Sequence, residues 1–146
     1  MDDLDQLYQT IILDHYRQPR NRRSLNPDEV QADEENPLCG DQVQLTVVWD
    51  GDRIRAIHFD GRGCAISQAS ASLMTQELEG LTAAEARQRI EAFIAVLRGE
   101  REWDPAEHDE LNALVGVRKF PLRVKCATLS WRGMERILQD RDAQRS

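Results

Sequence analysis

The chain has 146 residues and a net charge of −7 at pH 7, long enough to bury a core without disulfide staples. That charge disfavours bulk binding to nucleic acid, which draws lysine and arginine onto phosphates, and disfavours a membrane surface for the same reason. No apolar run approaches the roughly 20 residues needed to cross a bilayer.

Leu4, Leu7, Tyr8, Ile11, Ile12 and Tyr16 recur three and four apart, which predicts an amphipathic helix over residues 3–17. Pro19 stops it, because the residue before a proline is pushed out of the helical region. The polar stretch from Asn26 to Leu38 has room for one short edge strand near 29–32. Val43, Leu45, Val47 and Trp49 then alternate with mostly polar neighbours, the mark of a half-buried strand. Asp50-Gly51 signals a hairpin, and residues 53–59 return as the partner strand. Gly61-Arg62-Gly63-Cys64 opens a second helix, which passes Ile66, Ala69, Leu73, Glu77 and Leu78 on its way to Gly80. Thr82 through Glu85 matches a capping box for a third helix that ends near Arg98-Gly99. Residues 100–116 are polar, with Trp103, Pro105 and room for one short helix. Pro121 suits the first turn of a last helix carrying Leu122, Cys126, Leu129, Trp131, Met134 and Ile137. The charged tail over 139–146 is expected to fray. The sum is an α+β fold, a single domain over 1–146 in which a small antiparallel three-stranded sheet packs with helices. No internal repeat or low-complexity tract is present.

The start, Met-Asp-Asp-Leu-Asp, is acidic where a secretory signal is basic and then apolar. With free thiols in addition, the expected location is the reducing cytoplasm. His108-Asp109-Glu110-Leu111 spells a retention signal, but such signals are read at a C-terminus. Its internal position makes it a coincidence.

The three cysteines, Cys39, Cys64 and Cys126, carry the chemistry. Three thiols are an odd number for a disulfide framework, and the right number for a metal site completed by one oxygen or nitrogen ligand. Asp41, two residues from Cys39 in a loop punctuated by Pro37 and Gly40, is the candidate fourth donor. Each residue also has a plainer reading. Cys39 and Asp41 suit a buried thiol beside a turn-capping aspartate. Cys64 suits a small apolar residue at a strand-to-helix junction, although a thiol at a helix start feels the dipole and leans toward thiolate. Cys126 shares a helical stripe with Leu122 and Leu129 and suits core. Arg123 and Lys125 either offset surplus negative charge at a site or are ordinary surface charges. Gly61-Arg62-Gly63 is too short for a phosphate-binding fingerprint, and none of His15, His58 and His108 has a metal-ligand spacing to a cysteine.

Taken jointly, the motifs are more specific. Asp14-His15-Tyr16 with Pro19-Arg20-Asn21, Asn36-Pro37-Leu38-Cys39-Gly40-Asp41, Gly61-Arg62-Gly63-Cys64-Ala65-Ile66-Ser67 with Ala69-Ser70-Ala71-Ser72, and Phe120-Pro121-Leu122-Arg123-Val124-Lys125-Cys126-Ala127-Thr128-Leu129 together resemble the SufU branch of the IscU/NifU-N-terminal family. The resemblance runs from about Leu4 to Leu138. The IscU branch carries a histidine before the third cysteine, where this chain has Lys125, and residues 99–117 look like an insertion of the SufU branch.

The resemblance implies one zinc held by Cys39, Asp41, Cys64 and Cys126, and a sulfur relay for iron-sulfur cluster assembly. The partner it implies is a SufS-type pyridoxal-phosphate cysteine desulfurase, with an iron-sulfur scaffold downstream. A histidine of the desulfurase takes over a zinc position, Cys39 is released, and its thiolate accepts persulfide sulfur. Cys39 is the expected mobile ligand and sulfur acceptor because it sits in a loop, whereas Cys64 and Cys126 are placed on helices. Arg123 is expected to steer the partner or steady the site. The alternatives are an IscU-like cluster scaffold and a purely structural zinc module.

Overall fold

The computed structural model describes residues 3–145. In chain order it contains α1 (Asp3–Arg17), β1 (Ala32–Asn36), β2 (Asp41–Asp50), β3 (Arg53–Arg62), α2 (Ala65–Leu78), α3 (Ala83–Leu97) and α4 (Pro121–Arg145). The strands form one antiparallel sheet in the order β1-β2-β3. This is the expected α+β arrangement of a small three-stranded sheet with helices.

Alternation builds the sheet. Val43, Leu45 and Val47 of β2 and Ile57 and Phe59 of β3 are buried on the face that period-two geometry assigns to the core, and the register shift near Trp49 brings Ile54 into it as well. Asp50↔Arg53 closes the β2–β3 hairpin around Gly51, and a bulge lies between Val48 and Trp49. The edge strand starts three residues later than its sequence suggests. Pro27–Glu29 forms a single 3₁₀ turn closed by Asn26 and Glu29 in a capping box, and the strand occupies 32–36 instead.

α4 packs over the sheet, burying Trp131, Met134, Ile137 and Leu138. Its approach is close at Gly133, where a Cβ would stand 2.7 Å from Leu45 Cδ1. Trp131 stacks on Phe93 of α3 with ring centroids 4.0 Å apart, and its indole N–H donates to Ser70 Oγ on α2 at 3.0 Å. One side chain thus joins three helices. The capping box predicted at Thr82 and Glu85 is present.

Two stretches differ from expectation. Residues 100–116 are more ordered than their polarity suggests. Asp109–Lys119 winds as an extended 3₁₀ segment whose Leu111, Ala113, Leu114 and Val117 are buried. The tail expected to fray is helical through Arg145, while Ser146 lies outside the described residues. Arg141 accounts for part of that order: its guanidinium lies 3.7 Å from the Trp49 ring centroid and donates to the Gly51 carbonyl at 2.7 Å. No described helix is long and apolar enough to cross a membrane.

α1 is fastened by a polar contact rather than by its apolar stripe alone; the side chains of Leu4 and Leu7 lie outside the described residues. His15 is fully buried. Its Nε2 is 3.1 Å from Glu110 Oε2 and its Nδ1 is 2.7 Å from Ser72 Oγ. An ionised carboxylate only accepts, so Nε2 carries the proton, and the Ser72 hydroxyl donates to Nδ1. Ser72 Oγ in turn accepts the Arg20 backbone N–H at 2.8 Å. Burial holds His15 below its ordinary value of 6.5, opposed by Glu110, with the Arg20 charge also lowering it.

A pH dependence follows. The fold prefers the neutral ring, so stability present above 6.5 declines as the unfolded chain takes up the extra proton on acidification. Between about pH 7.5 and about pH 5.5, above the usual carboxylate range, the thermal midpoint should fall more steeply in the wild type than in His15→Gln. Calorimetry at both pH values checks this, and equal slopes would assign the dependence to another group.

Candidate metal centre

The sheet's turns and the helix starts bring the four sequence candidates to one end of the molecule. Pro37–Gly40 is the turn between β1 and β2, and its two ends are registered by Asn36↔Asp41. The Asn36 carbonyl accepts the N–H of Cys39 at 3.2 Å and of Gly40 at 2.8 Å. Gly40 has φ +72°, a left-handed conformation that glycine takes without cost. Cys39 is exposed on this turn.

Asp41 is not a loop residue as its spacing suggested. It begins β2 and is 1% exposed, so it belongs to the frame of the sheet. Its Oδ1 accepts the Cys64 backbone N–H at 2.8 Å, and its Oδ2 lies 3.5 Å from Cys64 Sγ. A buried carboxylate needs such donors to offset lost hydration. Gly63 makes room for it: at φ +139°, a Cβ there would stand 2.1 Å from Asp41 Oδ1. In the motif too short for phosphate binding, Gly63 thus serves the close approach of a carboxylate, whereas a Cβ at Gly61 would stand 2.2 Å from the Gln42 carbonyl oxygen.

Cys64 is the N-cap of α2 rather than a residue inside it, and its sulfur accepts the Ser67 N–H at 3.4 Å. Cys126 sits in α4, 1% exposed, with its Sγ 3.6 Å from Cys39 Sγ and 3.6 Å from the Leu122 carbonyl oxygen. The apolar stripe drawn through Leu122 breaks at this point, since Leu122 is 64% exposed. Burial first, then the Asp41 carboxylate and the Cys39 thiol, push the Cys126 thiol well above its ordinary range. Without a cation, Cys126 therefore holds its proton at neutral pH.

Donor atoms of Cys39, Asp41 and Cys126 all lie within 4.8 Å of one another; Cys64 stands beside this trio through Asp41. Two thiolates on a tetrahedral zinc, with Zn–S near 2.3 Å, are about 3.8 Å apart, and a thiolate and a carboxylate oxygen about 3.5 Å. The separations of 3.6 Å for Cys39–Cys126 and 3.5 Å for Cys64–Asp41 match those figures. Three sulfurs and one oxygen are a donor set that suits zinc.

Arg123 and Lys125 are exposed in the first turns of α4. The histidines are engaged elsewhere: His15 in the α1 anchor, His108 stacked on Trp103 with ring centroids 3.9 Å apart, and His58 half-buried in β3. Asn36 is the site neighbour that sequence reasoning passed over. Its Nδ2 lies 3.9 Å from Cys126 Sγ and its Oδ1 accepts the Leu38 N–H at 3.2 Å. The available signal was an asparagine at the start of a turn, a residue whose side chain readily bonds the backbone two positions on.

With this geometry in hand, likenesses to known proteins are informative. The family model described as NifU-like N terminal domain matches residues 7–127. The zinc-dependent sulfurtransferase SufU of Bacillus subtilis is 44% identical over 134 residues, covering 92% of this chain and 90% of that one. The iron-sulfur cluster assembly scaffold protein IscU of Streptococcus pyogenes is 38% identical over 140 residues, covering 95% and 87%. A crystal structure from Fervidobacterium islandicum, described as an iron-sulfur cluster assembly scaffold protein for the SUF system, superposes with a TM-score of 0.79 at 31% identity and covers 91% of this chain and 97% of that one. Residues 7–127 span the sheet and most of the helices, and the positions of Cys39, Asp41, Cys64 and Cys126 fall within that range. This chain belongs to the NifU-like N-terminal domain family.

Proposed function

We propose that this protein is a zinc-dependent sulfurtransferase of the SufU type, which accepts persulfide sulfur from a cysteine desulfurase for iron-sulfur cluster assembly. The observation that carries the proposal is the asymmetry of the donor set. Asp41, Cys64 and Cys126 are held by strand, helix cap and helix, while Cys39 is exposed on a four-residue turn. The similarity to the Bacillus sulfurtransferase supports it.

Zinc, when bound, keeps the thiols deprotonated at neutral pH and adds no redox chemistry of its own. Cys39 is the acceptor. Its thiolate attacks the outer sulfur of the partner's persulfide, the S–S bond breaks, and the partner's cysteine leaves as thiolate. The outer sulfur stays on Cys39. Leu38 beside Cys39, and Phe120 and Leu122 before Cys126, are 69%, 61% and 64% exposed. Such apolar side chains around a reactive thiol suit docking of a protein partner that excludes water. We assign that partner to the SufS type of pyridoxal-phosphate desulfurase, with Arg123 placed to meet it or to offset the charge of three thiolates and a carboxylate. A downstream iron-sulfur scaffold receives the sulfur, in a reducing cytoplasm that keeps the three thiols free.

The scaffold reading draws on the Streptococcus relative. Against it stands Lys125, exposed and cationic, at the position before the third cysteine where the IscU branch carries a histidine. Anaerobically purified protein with iron and visible absorption would favour the scaffold; about one zinc per chain and little iron favours sulfur transfer.

Cys39→Ser should retain desulfurase binding yet leave desulfurase turnover at its basal rate, because a hydroxyl is a poor nucleophile at neutral pH and carries no persulfide. Peptide mass spectrometry after turnover with the wild type should find the added sulfur on Cys39. Undiminished turnover of the variant, or sulfur chiefly on Cys126, would reassign the acceptor.

Gly63→Ala should displace Asp41, lower stability by roughly 1–3 kcal/mol through strain, and weaken zinc retention against a chelator. Gly51→Ala is the control, since Gly51 also has positive φ but nothing lies within 4 Å of its Cβ position. Its zinc retention should equal that of the wild type. Equal losses in both variants would mean that the effect is general strain and that Gly63 does not serve Asp41.

A further inference from the structure

We infer that Asn36 is the positioning residue that directs sulfur to Cys39 and away from Cys126; the inference rests on the zinc reading above. Asn36 ends β1 opposite Asp41 and is 5% exposed. Its backbone oxygen accepts the N–H groups of Cys39 and Gly40, and its Oδ1 accepts the Leu38 N–H. Three consecutive N–H groups of the turn are therefore bound to this one residue. Its Nδ2 is directed at the buried Cys126 sulfur, 3.9 Å away.

A primary amide has two acceptor lone pairs and two N–H donors. In Asn36 the oxygen takes the Leu38 N–H of the turn that carries Cys39, and the nitrogen faces Cys126, whose sulfur stands 3.6 Å from that of Cys39. The acceptor side shapes the turn that presents Cys39 to solvent. The donor side faces Cys126, where an N–H on a thiolate draws off electron density and makes it a weaker nucleophile. No donor of this kind reaches Cys39 among the described residues. Two sulfurs that share one metal site are thereby made unequal: one presented, one quieted. Aspartate has the same shape and keeps the acceptor, but it offers the sulfur no donor when ionised.

The test compares the zinc-loaded full chain with Asn36→Asp, which keeps the turn acceptor and loses the donor, and with Asn36→Ser, a shorter acceptor that does not reach Cys126. Limited alkylation by iodoacetamide followed by peptide mapping should label Cys39 in the wild type and leave Cys126 protected. In either variant the share of label on Cys126 should rise roughly tenfold, the lower end of the scale of one hydrogen bond to a charged group. Cobalt(II)-substituted protein supplies a readout that simple loosening of the fold does not produce. Loss of an N–H donor raises the energy of the sulfur lone pair, so the thiolate-to-cobalt charge-transfer band should move to longer wavelength in both variants. Should one variant not fold, the other carries both measurements. An unchanged band with an unchanged labelling ratio, beside a wild type that binds both ions, overturns the role of Asn36 alone. A wild type that takes up neither zinc nor cobalt brings down the zinc reading, and this inference with it.

Discussion

The buried carboxylate of Asp41 is the constraint around which this end of the molecule is organised. It begins β2, yet it accepts the backbone N–H of Cys64, which belongs to the junction between β3 and α2. A carboxylate taken out of water needs strong donors to remain charged. Here the donor comes from a helix start, where N–H groups are unpaired and the dipole favours negative charge. The same contact thus caps a helix, ties two neighbouring strand ends, and brings a thiol to an oxygen at 3.5 Å. Gly63 is required at this junction because any Cβ would overlap the carboxylate.

Behind that point the frame is rigid for ordinary reasons of packing. α4 comes close to the sheet at Gly133, and Trp131 joins α2, α3 and α4 through a stacked ring and an indole hydrogen bond. Cys126 lies five residues before Trp131 on the same helix and inherits its fixed position. Cys39 has no such backing. It rides on a turn whose hydrogen bonds all return to Asn36, so its position depends on a few backbone contacts rather than on a packed core. In a proposed four-ligand zinc site, that difference decides which ligand can be exchanged without disturbing the fold.

The relatives separate along a chemical line that the residues also draw. One is a zinc-dependent sulfurtransferase and another an iron-sulfur cluster assembly scaffold, and both span nearly the whole chain. Shared fold therefore does not choose between them; the site must. Around Cys126 the first turns of α4 place the cations Arg123 and Lys125 at the surface, while the described histidines are engaged elsewhere. The trio of Cys39, Asp41 and Cys126 offers two sulfurs, one oxygen and no imidazole, donors that suit a divalent ion such as zinc.

Much of this was legible from the sequence because it is local. Periodicity marked the strands and helices, Thr82 and Glu85 announced their capping box, and the three thiols with Asp41 stood out as candidate metal donors. What misled was polarity, which left room for only one short helix over 100–116 and pointed to fraying after Leu138. Residues 109–119 and the tail after Leu138 are rich in charge, yet they are held by Leu111 and Leu114 in the core and by Arg141 over Trp49, contacts with partners far along the chain. The sequence alone determined which groups could bind metal, since that is a property of residue type. Only the tertiary structure decided that Asp41 is a buried frame residue, that Cys126 is enclosed while Cys39 is exposed, and that the Asn36 amide faces the Cys126 sulfur. Burial and distance are set by how β2, α2 and α4 converge, and no spacing within one segment encodes that convergence.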